Sequence, residues 1–213
     1  EYQSSLLGGF QEVHTDLEKA DRVYQAIRRK ISYMDLRRIY KCFLSTVPDK
    51  EMILLRYIVL GFHIGSGISK LHGNPDVFAA QEIEKKINVE AERMRQFVRF
   101  SVMQGDILYA RIEPDHDVLE LIGDHFSDRF RNDPFLIHDV RRGKAMAGYQ
   151  GKWYITSFAE NDVPEESEEE KEYQALWQKY FDHIAIKERK NSNCQRNFMP
   201  LRYRKHLTEC QMR

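Results

Sequence analysis

The spacing of apolar residues changes at Phe97, and this change limits the chain to folds that join a helical part to a sheet. Before Phe97, apolar residues recur at three- and four-residue intervals, as in Ile83, Ile87 and Ala91. After it, apolar and polar residues alternate around Gln104-Gly105-Asp106, which is typical of a β-hairpin. We therefore predict an α+β fold whose N-terminal half is helical.

Turn and cap residues divide the helical half. A first helix follows Thr15 or Asp16 as its N-cap, and a second ends before Pro48. The stretch "EMILLRYIVLGFHIG" is apolar on nearly all sides, so it predicts a central helix. A further helix opens with Asn74-Pro75, where proline suits the first helical turn.

The second half predicts a strand-strand-helix-strand-strand order, with a helix over 114–130 and later turns near Arg142-Gly143 and Gln150-Gly151. This order indicates a central antiparallel sheet backed by helices. We expect one domain over residues 1–213, made of a helical half (15–96), a sheet-containing half (97–158), an acidic loop (159–172) and a C-terminal helix with a basic tail (173–213).

Charges balance overall but are unevenly placed. Lys and Arg total 33, and Asp and Glu total 33, so no net charge favours nucleic acid or membrane. Residues 160–172 hold eight acids and one lysine, whereas residues 183–205 hold seven Lys or Arg and one acid. This asymmetry predicts local charged surfaces.

The cysteine content and the lack of a secretory signal predict the cellular compartment of the protein. The chain has three cysteines without close pairing, no secretory signal and no apolar run near 18 residues. These features predict a reduced, soluble, cytoplasmic protein without a membrane partner. The first residue is not Met, so we expect a chain that lacks part of its N-terminus.

The stretch "EPDHDVLELIGDHF" combines acids with two histidines, which admits either a helix start or a polar site. Pro114 suits a first helical turn, and the helix dipole favours Asp115 and Asp117 there. His116 and His125 are nine positions apart, about 180° around a helix, so they cannot share a metal within it. We predict no metal site here.

The stretch "IHDVRRGK" supplies further polar residues at a strand end. Strand alternation sends His138 and Asp139 to opposite faces. The turn is either an ordinary charged hairpin or a contact for phosphates. An enzymatic site would need His116 or His125 to meet His138-Asp139 across the sheet. The candidate acid–base residues are His116, Asp117, His125, His138 and Asp139.

The C-terminal stretch interleaves basic and planar side chains, which suits phosphates and stacked bases. The alternative is a solvated tail docked through Phe198, Met199 and Leu201. The candidate nucleic-acid contacts are Arg99, Arg141, Arg142, Lys187, Arg189, Lys190, Arg196, Arg202, Tyr203 and Arg204, with Phe198 as a second stacking residue and Arg129 as an addition beside Arg99.

Common cofactor motifs do not occur. Cys194, His206 and Cys210 lack the second close pair of a zinc site. Gly65-Ser66-Gly67 lacks the context of a phosphate loop, and neither G-x-S-x-G nor H-E-x-x-H is present. We expect no cofactor, and the sequence leaves catalysis undecided.

The long segments "FLSTVPDKEMILLRYIVLGFHIG", "VEAERMRQFVRFSVMQGDILYARIEPDHDVLELIGDHFSDRF" and "YQALWQKYFDHIAIKERKNSNCQRNFMPLRYRKHLTE" resemble a bacterial family of domains of unknown function. Its members are called "probable DNA metabolism protein", and the resemblance spans roughly residues 21–209. Members lie beside a radical-SAM protein described as a DNA modification or repair enzyme, and related domains are fused to uracil-DNA glycosylase-type domains.

The resemblance implies a role in DNA repair or modification but supplies no catalytic residues. The Tyr-Asp-Gly strand near the start of members is not found in "EYQSSLLGGF". The Gly-Gln-Asp-Pro-Tyr motif of uracil-DNA glycosylases and the Cys-x3-Cys-x2-Cys motif of radical-SAM enzymes are absent too. We expect the chain to be neither enzyme by itself.

Three hypotheses follow. The first is a DNA-binding accessory protein that works with a radical-SAM or glycosylase partner. The second is an enzyme that acts on a nucleobase or nucleotide through His and Asp residues. The third is a protein-interaction scaffold without DNA contact, which docks through the acidic segment 160–172.

Overall fold

The computed structural model describes residues 14–184, 186 and 191–210, and it confirms the α+β fold class. The helices are α1 (Leu17–Lys30), α2 (Tyr33–Phe43), α3 (Lys50–Ile64), α4 (Pro75–Phe97), α5 (Leu119–Arg129), α6 (Glu168–Ile184) and α7 (Ser192–Phe198). The strands are β1 (Ser101–Met103), β2 (Ile107–Ile112), β3 (Phe135–Asp139), β4 (Lys144–Tyr149) and β5 (Lys152–Ser157). Short 3-10 helices lie at Gly65–Lys70, Glu160–Asp162, Leu201–His206 and Thr208–Cys210.

The described chain divides into two compact units. The first holds residues 14–43 and Asp49–Gln81, with α1, α2, α3 and the start of α4. The second holds Leu44–Pro48 and residues 82–210, with the rest of α4, the sheet and the C-terminal helices.

In the first unit, a buried carboxylate joins three elements. Asp35 of α2 is 1% exposed. It accepts hydrogen bonds from Ser32 at 2.5 Å, from Tyr57 of α3 at 2.6 Å and from Ser69 of the following 3-10 helix at 2.6 Å. Arg38 pairs with the same carboxylate at 2.9 Å. The network therefore ties α2 to α3 and to the turn after it.

Helix α3 buries one face only, so the prediction of a central helix is wrong. Leu54, Tyr57 and Gly61 are buried, whereas a second apolar face is exposed in the described chain. The exposed residues of that face are Met52, Leu55, Val59 and Phe62. By length and composition alone, Lys50–Lys70 is the one described helix that could cross a membrane, a test that core helices of soluble proteins also pass.

The second unit contains one sheet in the order β1-β2-β3-β4-β5. Its neighbouring strands are antiparallel except β2 and β3, which are parallel. The sheet is therefore mixed, and the prediction of a wholly antiparallel sheet is wrong at this pair. Helix α5 follows β2 and returns the chain to the end at which β2 began, so the next strand runs in the same direction.

Two helices pack with the strands to form the apolar core of the second unit. The predicted face of α4 is confirmed, because Ile83, Ile87 and Ala91 are buried. Helix α5 packs against β4 and β5. Gly123 permits this approach, since a Cβ at that position would lie 2.5 Å from the Trp153 ring.

Candidate nucleic-acid interface

The 113–118 loop follows β2 at the edge of the sheet where the parallel strand β3 ends in Asp139. Functional side chains often lie beyond the carboxyl ends of parallel strands. Asp115 and Asp117 belong to this loop, because α5 begins only at Leu119. The prediction that these acids start a helix is therefore wrong.

A buried carboxylate from α4 holds the 113–118 loop. Glu90 is 2% exposed, and it accepts the backbone N–H of Asp115 at 2.9 Å and that of His116 at 2.7 Å. Tyr203 donates its hydroxyl to the same carboxylate at 3.2 Å. These bonds satisfy backbone groups of the loop without a helical turn.

Basic side chains neutralise the acids of the loop. Arg142 pairs with Asp139 at 2.8 Å and donates to the carbonyl of Asp115 at 2.6 Å. Burial raises the pKa of Asp139, and its contacts with Arg142 oppose that shift. The remaining pairs are Arg141 with Asp115 (3.1 Å), Arg202 with Asp115, Lys144 with Asp117, and Lys205 with Glu113 (2.5 Å).

His116 is fixed within the same loop. Its Nδ1 accepts the backbone N–H of Thr46 at 3.3 Å, which leaves Nε2 to carry the proton of the neutral ring. Burial lowers the pKa of His116, although Glu90 and Asp115 act in the opposite direction. Among the predicted acid–base residues, the structure thus brings His116, Asp117 and Asp139 to one edge of the sheet.

The other two predicted histidines lie elsewhere. His138 is 1% exposed, and its Nδ1 lies 2.9 Å from the Tyr109 hydroxyl. Its ring packs edge-on to Phe158. Burial raises the pKa of Tyr109 to about 12 and lowers the pKa of His138. His125 is exposed on α5. The meeting of His116 or His125 with His138 that an enzymatic site would need is not seen among the described residues.

A groove of about 550 Å³ opens in the second unit beside the ends of α4 and α5 and along α6. We call it the arginine groove. The lining residues that matter below are Arg95, Arg99, Phe100, Arg129, Phe130, Tyr173 and Trp177.

Packed aromatic rings form the base of the arginine groove. The Phe100 ring centroid lies 4.7 Å from that of Phe130 and 5.4 Å from that of Phe126, both in edge-to-face geometry. Phe126 is 2% exposed, so this cluster continues into the core. The base of the groove is therefore fixed by the packing of α5.

Helix α6 contributes an exposed aromatic wall. Tyr173 is 68% exposed and Trp177 is 46% exposed, and their spacing of four puts them on one helical face. The same apolar stripe, which the sequence pattern predicted, continues through exposed Leu176, Tyr180 and Ile184. In the described chain, this stripe lies on the surface.

Three arginines give the groove its charge. Arg95 pairs with Glu92 at 2.9 Å and donates to the carbonyl of Leu121 at 2.6 Å. Arg99 is exposed and donates to the carbonyl of Gln96 at 3.1 Å.

Arg129 lies over the Phe130 ring at 5.5 Å, and no described carboxylate forms an ion pair with it. Glu170, the acid in the lining, already accepts the Val102 N–H at 3.1 Å and the Gln174 amide at 3.0 Å. The charge of Arg129 is therefore not compensated by an ion pair within the described part of the chain.

The predicted nucleic-acid contacts do not form one surface. Arg99 lines the arginine groove and also a small second cleft that it shares with Arg202 and Tyr203. Arg141 and Arg142 instead pair with Asp115 and Asp139 beside the 113–118 loop. Tyr203 is 7% exposed, so the structure does not present it for base stacking, contrary to expectation.

The remaining predicted contacts are distributed along the C-terminal segment. Arg204 donates to the carbonyl of Met199 at 3.2 Å, and Arg196 is exposed on α7. Phe198 is 78% exposed. Lys187, Arg189 and Lys190 lie outside the described residues.

Sequence reasoning missed Arg95, Tyr173 and Trp177 as site residues. The two aromatics belong to an amphipathic stripe, and such a stripe is ordinarily a buried face. The periodicity of the apolar residues does not predict that these two side chains are exposed. The one available signal was the presence of four aromatic residues in that stripe.

No group of three His, Cys, Asp or Glu side chains within the described chain could hold a metal ion. His206 instead contacts Glu113 at 3.1 Å.

Comparison with known proteins identifies a family without an assigned activity. A family model described as a domain of unknown function, DUF4130, matches residues 48–209. The match includes the whole sheet, the 113–118 loop and the arginine groove. No significant match was found among curated proteins or among solved structures.

Proposed function

The chain belongs to the DUF4130 family of domains of unknown function, and from this premise we propose that it is a DNA-binding accessory protein in DNA repair or modification. The observation that carries the proposal is one groove that joins three arginines to two exposed aromatic side chains. Guanidinium groups bind phosphates, and aromatic rings stack on bases. The resemblance to proteins associated with DNA metabolism agrees with this function.

DNA binding by this chain has to be local, because its formal net charge is zero. Arg99 and Arg129 supply cationic groups in a groove whose described lining holds one acid, Glu170, beside three arginines. Lys187, Arg189 and Lys190 follow α6 in the sequence, and we include them as further phosphate contacts.

The geometry favours binding over acid–base catalysis. None of the five predicted acid–base residues lines the arginine groove. His138 is sealed between Tyr109 and Phe158, and Asp139 on the opposite face is paired with Arg142. His138 and Asp139 are therefore not directed at a common reacting atom, whereas His116, Asp117 and Asp139 share one edge of the sheet outside the groove.

Salt dependence tests the proposal. We expect a fluorescently labelled DNA oligonucleotide to bind with an affinity that falls as salt rises, with a log–log slope of about −4 to −5 if the three arginines and the three basic residues after α6 all contact phosphates. The double variant Arg99→Glu/Arg129→Glu should weaken binding about tenfold or more at low salt. Fluorescence anisotropy measures both effects.

Lys152→Glu is the matched control, because Lys152 is exposed in the same unit and does not line the groove. Its affinity should stay within about twofold of the unmodified chain. Absent or salt-independent binding to both single and double strands would rule out the proposed function.

A second candidate is docking of a partner protein, and the exposed α6 stripe favours it. Leu176, Tyr180 and Ile184 are more than half exposed, at 62%, 53% and 55%. The family resemblance suggests a radical-SAM protein as the partner. Co-purification with that protein after nuclease treatment, lost in Leu176→Glu/Ile184→Glu, would support docking, whereas loss on nuclease treatment alone would indicate bridging by DNA.

A further inference from the structure

Two exposed aromatic rings and three arginines line the same groove. This combination of side chains bears on whether the groove binds single-stranded or double-stranded DNA. We infer that the arginine groove binds unpaired nucleotides of single-stranded DNA, with Trp177 and Tyr173 as the stacking surface for the bases. This inference rests on the proposed function and adds the substrate class to it.

The position of the aromatic pair supports base stacking. Tyr173 and Trp177 are one helical turn apart on α6, about 6 Å along its axis. Both rings are substantially exposed although the Phe100–Phe130 base beside them is tightly packed. Every base has a flat apolar face, so such rings bind bases without regard to sequence.

The arginines lie where a strand's phosphates would be needed. Arg99 follows the C-terminal end of α4, and Arg129 ends α5, so both project from elements other than the aromatic wall. A nucleotide presents its base and its phosphate in different directions. A groove with rings on one helix and guanidinium groups on two others matches that arrangement.

The requirement for an accessible base face favours an unpaired strand over a duplex as the stacked ligand. A volume of about 550 Å³ lies in the range of sites for small molecules. Bases within a duplex are paired and stacked on each other, so they cannot reach Trp177 without being extruded. A duplex therefore gains only the phosphate contacts, whereas an unpaired strand gains stacking as well.

The inference is tested by comparing how variants at Trp177 bind single-stranded and double-stranded DNA. Labelled oligo(dT) and a blunt duplex of equal length are titrated with the unmodified chain, Trp177→Ala and Trp177→Phe by fluorescence anisotropy. We expect Trp177→Ala to weaken single-strand binding about 5- to 150-fold, which corresponds to the loss of one stacked base, and Trp177→Phe to retain most of the affinity. Duplex binding should change by less than about twofold in either variant.

Tyr154→Ala is the control for loss of an exposed aromatic ring, because Tyr154 is 65% exposed on β5 and lies outside the groove. It should leave single-strand binding unchanged. Inorganic polyphosphate, which has charge but no bases, should compete equally well for the unmodified chain and for Trp177→Ala.

The outcomes separate the two proposals. Single-strand binding that is no tighter than duplex binding and does not respond to Trp177→Ala overturns the inference while salt-dependent DNA binding still supports the proposed function. Binding to neither strand form overturns both. A loss in Trp177→Ala that is as large for polyphosphate as for oligo(dT) also overturns the inference, because it would show a structural effect on the arginines.

Discussion

At the scale of single residues, Asp35 keeps its charge inside the first unit because surrounding donors outweigh its burial. Burial raises the pKa of this carboxyl, but hydrogen bonds from Ser32, Ser69 and Tyr57 and the charge of Arg38 bring the pKa below its ordinary value. Burial also raises the pKa of Tyr57 to about 12, so the phenol remains a donor. The ionised acid is thus part of the folded structure.

Asp35→Asn should lower the free energy of unfolding by about 3 kcal/mol at pH 7, because the amide cannot accept every bond that the carboxylate accepts. The pKa of Asp35 is lower in the folded state than in the unfolded state. Its stabilisation is therefore complete above the ordinary carboxyl pKa of about 4 and is lost as the pH falls through the folded pKa. Urea denaturation between pH 7 and pH 3 measures both effects.

The difference between Asp35→Asn and the unmodified chain should accordingly shrink below about pH 4. Asp106→Asn is the control, since Asp106 is exposed in the β1–β2 turn, and it should change stability by less than about 0.5 kcal/mol. A difference that stays constant down to pH 3 would contradict the assignment of an ionised Asp35.

Residue identity alone misassigned Asp115 and Asp117. The local pattern of Pro and acids is that of a helix start, and local pattern is all that a single sequence supplies there. The competing bonds come from Glu90, which is 25 positions away from Asp115, and from Arg142 and Lys144 beyond α5. Long-range partners of this kind cannot be obtained from spacing.

At the scale of elements, periodicity located helices well but could not assign their buried faces. Helix α4 buries the predicted stripe, whereas the stripes of α3 and α6 are largely exposed. An apolar stripe predicts that one face of a helix avoids water, but it does not predict which element of the fold covers that face. The parallel pairing of β2 and β3 was predictable in principle, because a helix between adjacent strands is a crossover connection.

Contact between α5 and β5 gives a test of packing at this scale. Gly123→Ala should lower the free energy of unfolding by about 1–2 kcal/mol, although alanine favours helix more than glycine does. The new Cβ would lie 2.5 Å from the Trp153 ring, which is also held by a 2.9 Å bond to Asp124. Thermal and urea denaturation measure the change.

Gly73→Ala is the matched control, because nothing lies within 4 Å of a Cβ built there. In a Trp153→Phe background, the ring at position 153 is smaller, so Gly123→Ala should lower the free energy of unfolding by less than it does in the unmodified chain. A stabilising effect of Gly123→Ala in the unmodified chain would contradict the close packing of α5 on the sheet.

At the scale of the whole molecule, ion pairs compensate some of the basic residues that the sequence alone presents as a charged surface. The basic C-terminal stretch predicts a nucleic-acid surface, yet Arg202 and Lys205 pair with Asp115 and Glu113 of the 113–118 loop. Their charges are therefore locally compensated. The described lining of the arginine groove holds three arginines and one acid, Glu170, which is why we propose this groove as the DNA-binding surface.

The C-terminal 3-10 helix at Leu201–His206 connects parts of the second unit that are far apart in sequence. Tyr203 contacts Glu90, 113 positions earlier, and its ring lies 5.8 Å from that of Phe97. Buried packing of Tyr203 should hold this segment more strongly than its exposed ion pairs, since exposed pairs are each worth at most about 1 kcal/mol.

Limited trypsin digestion should therefore cleave after Arg202, Arg204 and Lys205 about tenfold faster or more in Tyr203→Ala than in the unmodified chain, because loss of a buried ring increases local opening. Leu201→Ala, whose side chain is 61% exposed in the same 3-10 helix, should cleave at nearly the unmodified rate. High salt should accelerate cleavage of the unmodified chain only modestly, because it screens the ion pairs but leaves the Tyr203 packing intact. Equal rates in the two variants, or release by salt alone, would show that charge rather than the buried ring holds the segment in place.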